Sequence, residues 1–163
     1  MTWAKHTHER ILTVYKEIVE EYAIKNRNMD LAINEMLIRA ELLKRDLTKR
    51  QLVILTYIMT FSYFYGKESA LIPKLKDFSL AGISPTKIKD ELLKLEEMHV
   101  IEWKRGKDYN EYSINDPREW KAAYHSNYDD RRSKELFFLN LKHAGASFDL
   151  DAIKKKAMTE DER

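Results

Sequence analysis

Gly82-Ile83-Ser84-Pro85-Thr86-Lys87-Ile88-Lys89-Asp90-Glu91-Leu92-Leu93-Lys94-Leu95-Glu96-Glu97-Met98 has every local signal of a helix start followed by a one-sided helix. Ser84 suits the cap, since its hydroxyl can accept a bond from an otherwise unpaired first-turn amide. Pro85 falls at the first helical position, where a missing amide hydrogen costs nothing. Ile83 and Ile88 flank the cap at the spacing of a hydrophobic staple. Ile88, Leu92 and Leu95 then recur along one face of a helical period. Thr86, Asp90, Leu93 and Glu97 fall opposite, with Lys87 and Lys94 on one flank and Lys89 on the other.

Working outward, Val100-Ile101-Glu102-Trp103 and Tyr109 to Ile114 are rich in strand formers. Lys104-Arg105-Gly106-Lys107-Asp108 supplies the turn between them, so this is a hairpin with a basic tip. Upstream, Ser79-Leu80-Ala81-Gly82 is a turn, with glycine suited to a sharp change of direction. Lys74 to Phe78 is a short helix facing Leu75 and Phe78 inward. Ala70-Leu71-Ile72, before Pro73, is a candidate third strand pairing with the hairpin. Thr48 and Gln51 form a capping box, with Leu47 and Leu52 as its staple. Val53 to Tyr65 is apolar nearly all round, as expected of a helix in the middle of a domain. The aromatics of Phe61-Ser62-Tyr63-Phe64-Tyr65 therefore read as core rather than as a base-stacking platform, and Gly66 ends the helix. The order is helix, strand, helix, turn, helix, hairpin. It predicts a mainly α fold with a small β-hairpin wing: a winged helix-turn-helix over residues 46–115, between N-terminal helices (1–45) and a C-terminal helical extension (116–163) with a frayed tail.

Glu9 to Lys25 reads as an amphipathic helix with a stripe of Ile11, Val14, Tyr15, Ile18, Val19 and Tyr22. Such a stripe needs cover, from the domain or from a second copy in a homodimer. Asp30 or Asn34 can cap the next helix, which runs to about Arg45. After the hairpin, Asp116-Pro117 restarts a helix through Trp120 and Tyr124. Tyr128 to Lys134 is a charged joint, Glu135 to His143 a further helix, and Asp149 to Ala157 a last turn or two.

The 163 residues fit one globular domain with appended helices. A charged fraction of 34% with only four Gly and three Pro favours helix. The absence of cysteine excludes disulfides, thiolate metal sites and thiol nucleophiles. Of the histidines only His6 and His8 are close, and no pair stands four apart, so no metal is expected. Gly66, Gly82, Gly106 and Gly145 are too scattered for a phosphate-cradling or dinucleotide loop, so no cofactor and no enzymatic activity is expected. No apolar run approaches the ~20 residues of a membrane span. Met1 to His6 has no signal-peptide core after it. The expected compartment is the cytoplasm, with no membrane partner.

A net charge of +2, from 29 basic and 27 acidic residues, means that any phosphate footprint is local. Ser84 to Lys107 holds six basic residues, Lys87, Lys89, Lys94, Lys104, Arg105 and Lys107, against five acidic ones. A basic wing tip commonly lies beside the phosphate backbone; the alternative is a solvated hairpin whose charges keep an edge soluble.

Ile33-Asn34-Glu35-Met36-Leu37, Asp46-Leu47-Thr48-Lys49-Arg50-Gln51, Phe64-Tyr65-Gly66-Lys67, Gly82-Ile83-Ser84 and Leu92-Leu93-Lys94-Leu95-Glu96-Glu97 occur here in that order. Over about Ile33 to Asn115 the chain resembles the N-terminal winged-helix domain of phage replication initiators of the lambda O type. The resemblance implies binding to double-stranded repeats of a replication origin, followed by recruitment of a helicase loader or helicase. It implies DNA-facing positions at Pro85, Thr86, Lys89 and Asp90. Family members often carry arginine at such places, and Asp90 departs from that, although it can accept from a cytosine amino group. The turn between the two helices is longer by Ser79-Leu80-Ala81, and His99 stands where glycine often ends the second helix.

Physically, the helix from Ser84 would enter the major groove, its first-turn amides and Lys87 meeting phosphate at the positive end of the helix dipole. Thr86, Lys89 and Asp90 would reach base edges, Lys94 would share the flank of Lys87, and Lys104, Arg105 and Lys107 would hold the flanking backbone or minor groove. Two other readings remain open: a protein-interaction scaffold of a primosome, favoured by the modest charge, Asp90 and Leu93, and a dimeric winged-helix transcriptional regulator. Since the chain ends soon after its helical appendage, a region recruiting the helicase loader is expected to be small or lacking.

Overall fold

Thr48 opens the central helix as expected: its hydroxyl accepts from Gln51 N (3.2 Å) while the Gln51 side chain accepts from Thr48 N (2.9 Å). That helix, α3 (Lys49–Thr60), is preceded by α1 (Thr2–Ile18), which continues into a π-helical turn (Val19–Ala23), and by α2 (Met29–Leu42). It is followed by β1 (Ser69–Leu71), a 3-10 helix (Leu75–Ala81), α4 (Pro85–Glu97), β2 (Ile101–Arg105), β3 (Asn110–Ile114) and α5 (Asp130–His143). The structure is a computed structural model that describes residues 2–23, 25–26, 28–147, 149, 151–153 and 155–156. It has two compact units, Met1–His125 and Ser126–Arg163.

The first unit is winged-helix-like: mainly helical, with a small antiparallel sheet of strand order β1-β3-β2. Ile54, Leu55, Ile58 and Met59 of α3 are fully buried, as are Leu92 and Leu95 of α4, with Ile88 nearly so. Together with Phe78, Ile83, Val100, Ile101 and Tyr112 they form one core, to which α2 adds Ile38 and Leu42. Each such aliphatic side chain contributes roughly 1.5–3 kcal/mol by leaving water.

Several local expectations differ from the structure. Asn28, rather than Asp30 or Asn34, caps α2, its carbonyl accepting from Asp30 N at 2.9 Å. The aromatic run is divided. Phe61 and Tyr63 pack on the core, but the chain leaves α-geometry after Thr60, and Phe64 and Tyr65 turn out to solvent.

Pro117–Glu119 makes only one 3-10 turn, and the chain then runs extended. Its backbone donors go elsewhere: Lys121 N donates to Met98 O (2.7 Å) and His125 N to Lys44 O (3.0 Å). Arg45 clamps this strap by donating to the Ala122 and Pro117 carbonyls (2.8 and 3.1 Å) and to Glu41 (2.7 Å), with Tyr124 stacked at 4.7 Å. Residues 116–125 therefore lie with the first unit, ten residues beyond the end expected from the hairpin alone.

In the second unit, α5 takes in the charged joint because Asp129 caps it, accepting from Arg132 N at 3.1 Å. Residues 151–153 are helical, and the expected frayed tail from Met158 lies outside the described residues.

Candidate nucleic-acid interface

Burying Ile88, Leu92 and Leu95 forces the other face of α4 outward, and Pro85, Thr86, Lys87, Lys89, Asp90, Leu93 and Lys94 are all exposed. The helix start differs from expectation in one atom. The Ser84 hydroxyl does not cap; it lies 3.1 Å from the Thr86 hydroxyl, and the turn is closed by Lys87 N donating to Ser84 O at 2.9 Å. Ile83 and Ile88 are both buried, as a staple requires.

The far end of α4 sets the wing. His99 adopts φ +58, Val100 N donates to Leu95 O and His99 N to Glu96 O, each at 3.0 Å. This is the left-handed helix stop usually given to glycine, so the departure at His99 leaves the turn intact. β2 then pairs with β3 from Ile101 opposite Ile114 to Arg105 opposite Asn110. Trp103 Nε1 donates to Asn110 Oδ1 (3.0 Å), and Asn110 Nδ2 donates to Pro73 O (2.8 Å), which ties the wing to the segment after β1. Tyr112 beneath it is fully buried, edge-on to Phe78 (5.1 Å) and stacked on Trp103 (5.6 Å). Its hydroxyl has no partner among the described residues, and burial pushes its pKa well above the usual tyrosine range.

The strand alternation separates the basic residues of the wing. Ile101, Trp103 and Arg105 share one face of β2, and Glu102 and Lys104 the other. Lys104 stands opposite Glu111 across the strand pair. The Arg105 guanidinium lies 3.7 Å from the Trp103 ring and donates twice to Glu96 of α4, at 3.0 and 2.9 Å. That bidentate pairing raises its pKa further. Lys94 approaches Glu91 at 3.9 Å, and the second Glu91 oxygen is buried without a partner among the described residues. Among the described residues, no carboxylate lies within 4.0 Å of Lys87, Lys89 or Lys107. The six expected bases thus divide into three with a carboxylate partner or neighbour (Lys94, Lys104, Arg105) and three without.

Sequence reading passed over Lys49 and Arg50. They line an open cleft of about 310 Å³ with Thr48, Val53, Ala81, Gly82 and Ile83, beside the turn that leads into Ser84. The capping box put them in the first turn of α3; only the packing of α3 against that turn puts them near the start of α4. Among the described residues, no group of three or more His, Asp or Glu side chains could hold a metal ion, and no helix is long and apolar enough to cross a membrane.

A family model described as bacteriophage replication protein O matches residues 31–120, more than half of the chain. The chain belongs to the bacteriophage replication protein O family. It is a phage replication initiator of the lambda O type, as the motifs from Ile33 to Glu97 led one to expect. Curated proteins and solved structures give no match. The family match begins at the first buried residue of α2, Leu31, and ends at Trp120 in the strap clamped by Arg45. It contains α4, the wing and the Lys49–Arg50 cleft, and it leaves out α1 and α5.

Proposed function

We propose that the chain binds double-stranded DNA at repeats of a phage replication origin through α4 and its wing, and brings a helicase loader or helicase to that DNA in the host cytoplasm. It acts by binding rather than by catalysis. One observation carries the reading: α4 is buried on one face and exposed on the other, where Lys87 and Lys89 stand with no carboxylate within 4.0 Å among the described residues. Lys87, with Lys49 and Arg50 beside the preceding turn, supplies phosphate attraction, which sets position; Thr86, Lys89 and Asp90 supply base contacts, which set sequence. Lys107 at the wing tip reaches flanking backbone. Binding as a homodimer on paired or repeated sites belongs to the same reading.

Fluorescence anisotropy with labelled duplexes tiled across the gene and its neighbours, at two salt concentrations and against random duplex, tests it. Lys89→Ala should lower the preference for the tightest tile while leaving random-duplex affinity within a few-fold. Equal binding of all tiles by the parent, lost as salt rises, would refute sequence-specific recognition. The scaffold reading would then take its place. It has its own support in the exposed Leu93 (40%) and Leu80 (80%) beside the same helix.

A further inference from the structure

The outward face of α4 carries one stripe that is not basic. Thr86, Asp90, Leu93 and Glu97 follow one another at helical spacing, and all are exposed. Lys94 could reach back one turn to Asp90 but approaches Glu91 instead, at 3.9 Å. Asp90 has no cation within 4.0 Å among the described residues. The stripe therefore presents a methyl-bearing side chain, an unpaired carboxylate and an apolar side chain, in that order. Base edges in the major groove offer few matches to such a set. A carboxylate can accept only from the amino groups of cytosine and adenine, and the N7 and O6 of guanine repel it. An apolar side chain finds one partner there, the 5-methyl group of thymine.

Thr86 is held for that contact. A threonine in a helix ordinarily divides between two χ1 positions. Here its hydroxyl lies 3.1 Å from the Ser84 hydroxyl, with Pro85 fixing the backbone between them. Ser84 makes no side-chain cap, so its hydroxyl serves Thr86, selects one χ1 position and thereby fixes the methyl. Thr86 and Leu93 are separated by about 10 Å along the helix, or roughly three base-pair steps. Glu97 ends the stripe with a carboxylate at the last residue of α4, which confines the footprint to the first part of the helix.

We infer that Thr86 and Leu93 each meet a thymine 5-methyl group, on either side of the base whose amino group Asp90 accepts from, and that Ser84 positions Thr86. The DNA element so recognised carries two thymines about three base pairs apart with cytosine or adenine between them. This selectivity rests on the origin-binding reading above and adds to it the class of sequence that is read.

Replacing thymine by deoxyuridine removes the methyl group and nothing else. In the duplex that the parent binds most tightly, each thymine on both strands is replaced singly, and affinity is read by anisotropy. A buried methyl group is worth about a fourfold change, so the parent should lose about that much at two positions. Thr86→Ser keeps the hydroxyl and removes the methyl, and should make one of those positions indifferent to deoxyuridine. Leu93→Ala should do the same at the other. Ser84→Ala should shrink the loss at the Thr86 position and leave the thermal transition unchanged, since Ser84 caps nothing. A parent that prefers its duplex to random DNA yet tolerates deoxyuridine everywhere would overturn the inference and leave origin binding standing. A parent with no preferred duplex would overturn both. Losses that persist at the same positions in Thr86→Ser and in Leu93→Ala would also overturn it, because other side chains would then be reading the methyl groups.

Discussion

Replacing Glu96 by Gln should tighten binding to every duplex, and it should do so only through Arg105. In the free chain the Arg105 guanidinium makes two bonds to Glu96, at 3.0 and 2.9 Å, while lying over Trp103 at 3.7 Å. To reach a phosphate it must leave that carboxylate. The two side chains are 48% and 35% exposed, so water screens the pair, and it is worth about 0.2–1 kcal/mol despite its geometry. Releasing that energy corresponds to roughly a 1.5- to 5-fold gain in affinity. Gln keeps the size of Glu96 and leaves the stacking on Trp103 in place. Glu96 sits near the C-terminal end of α4, where a negative charge is unfavourable, so its loss should not weaken the helix. The assay is anisotropy on random duplex at several salt concentrations. A new phosphate contact steepens the log–log salt slope by about one unit. The double variant Glu96→Gln/Arg105→Ala closes a mutant cycle. If Glu96→Gln binds like the parent, Arg105 takes no part in binding. If its gain survives in the Arg105→Ala background, the effect is removal of a repelling carboxylate, and the proposed release of Arg105 is wrong.

Three further outcomes test the frame that holds the site. His99→Gly should stabilise the fold by about 0.5–1 kcal/mol in urea unfolding, since His99 is exposed and held at φ +58, where glycine pays no steric cost; a loss of stability would mean that the side chain makes a contact of its own. Gly66→Ala should cost about 2–4 kcal/mol, because Gly66 lies at φ +73 and an added methyl would overlap the Asn26 carbonyl; a change below about 1 kcal/mol would refute that close approach. Tyr63 has its pKa pushed up to about 12, first by burial and then by Glu68 and Glu35. The folded state thus favours the neutral phenol: stability is intact below the ordinary pKa of 10.0 and is lost as pH rises towards 12. Alkaline titration of stability in Tyr63→Phe should show a shallower decline than the parent, with Tyr112 still contributing in the same direction; superimposable curves would remove Tyr63 from the account.

What could be read from the sequence was whatever is decided within one or two helical turns. The Thr48–Gln51 box, the Ile83–Ile88 staple, and the Ile88, Leu92, Leu95 face are local, and each stands in the structure. The hairpin and third strand were legible too, because strand formers bracket a glycine turn, although β1 begins at Ser69, one residue earlier than Ala70. Lys121 to Tyr124 was not legible. Its helix-favouring residues give their backbone to Met98 and to the Arg45 region, more than 70 residues away in the case of Arg45, and that outweighs propensity.

The surroundings of the charged residues around α4 were not legible for the same reason. Counting charges from Ser84 to Lys107 treats six bases as equivalent, but equivalence ends when the wing folds back. Arg105 meets a carboxylate nine residues upstream, and Lys104, its neighbour in sequence, is turned to the other strand face, opposite Glu111. Conversely, Lys49 and Arg50 are far in sequence from Ser84, yet line the cleft beside its turn. A chain of net charge +2 attracts phosphate only where the fold separates its bases from its acids. Around α4 those places are Lys87 and Lys89, and the mutations that distinguish binding models are the ones that move a residue across that divide, as Glu96→Gln does for Arg105.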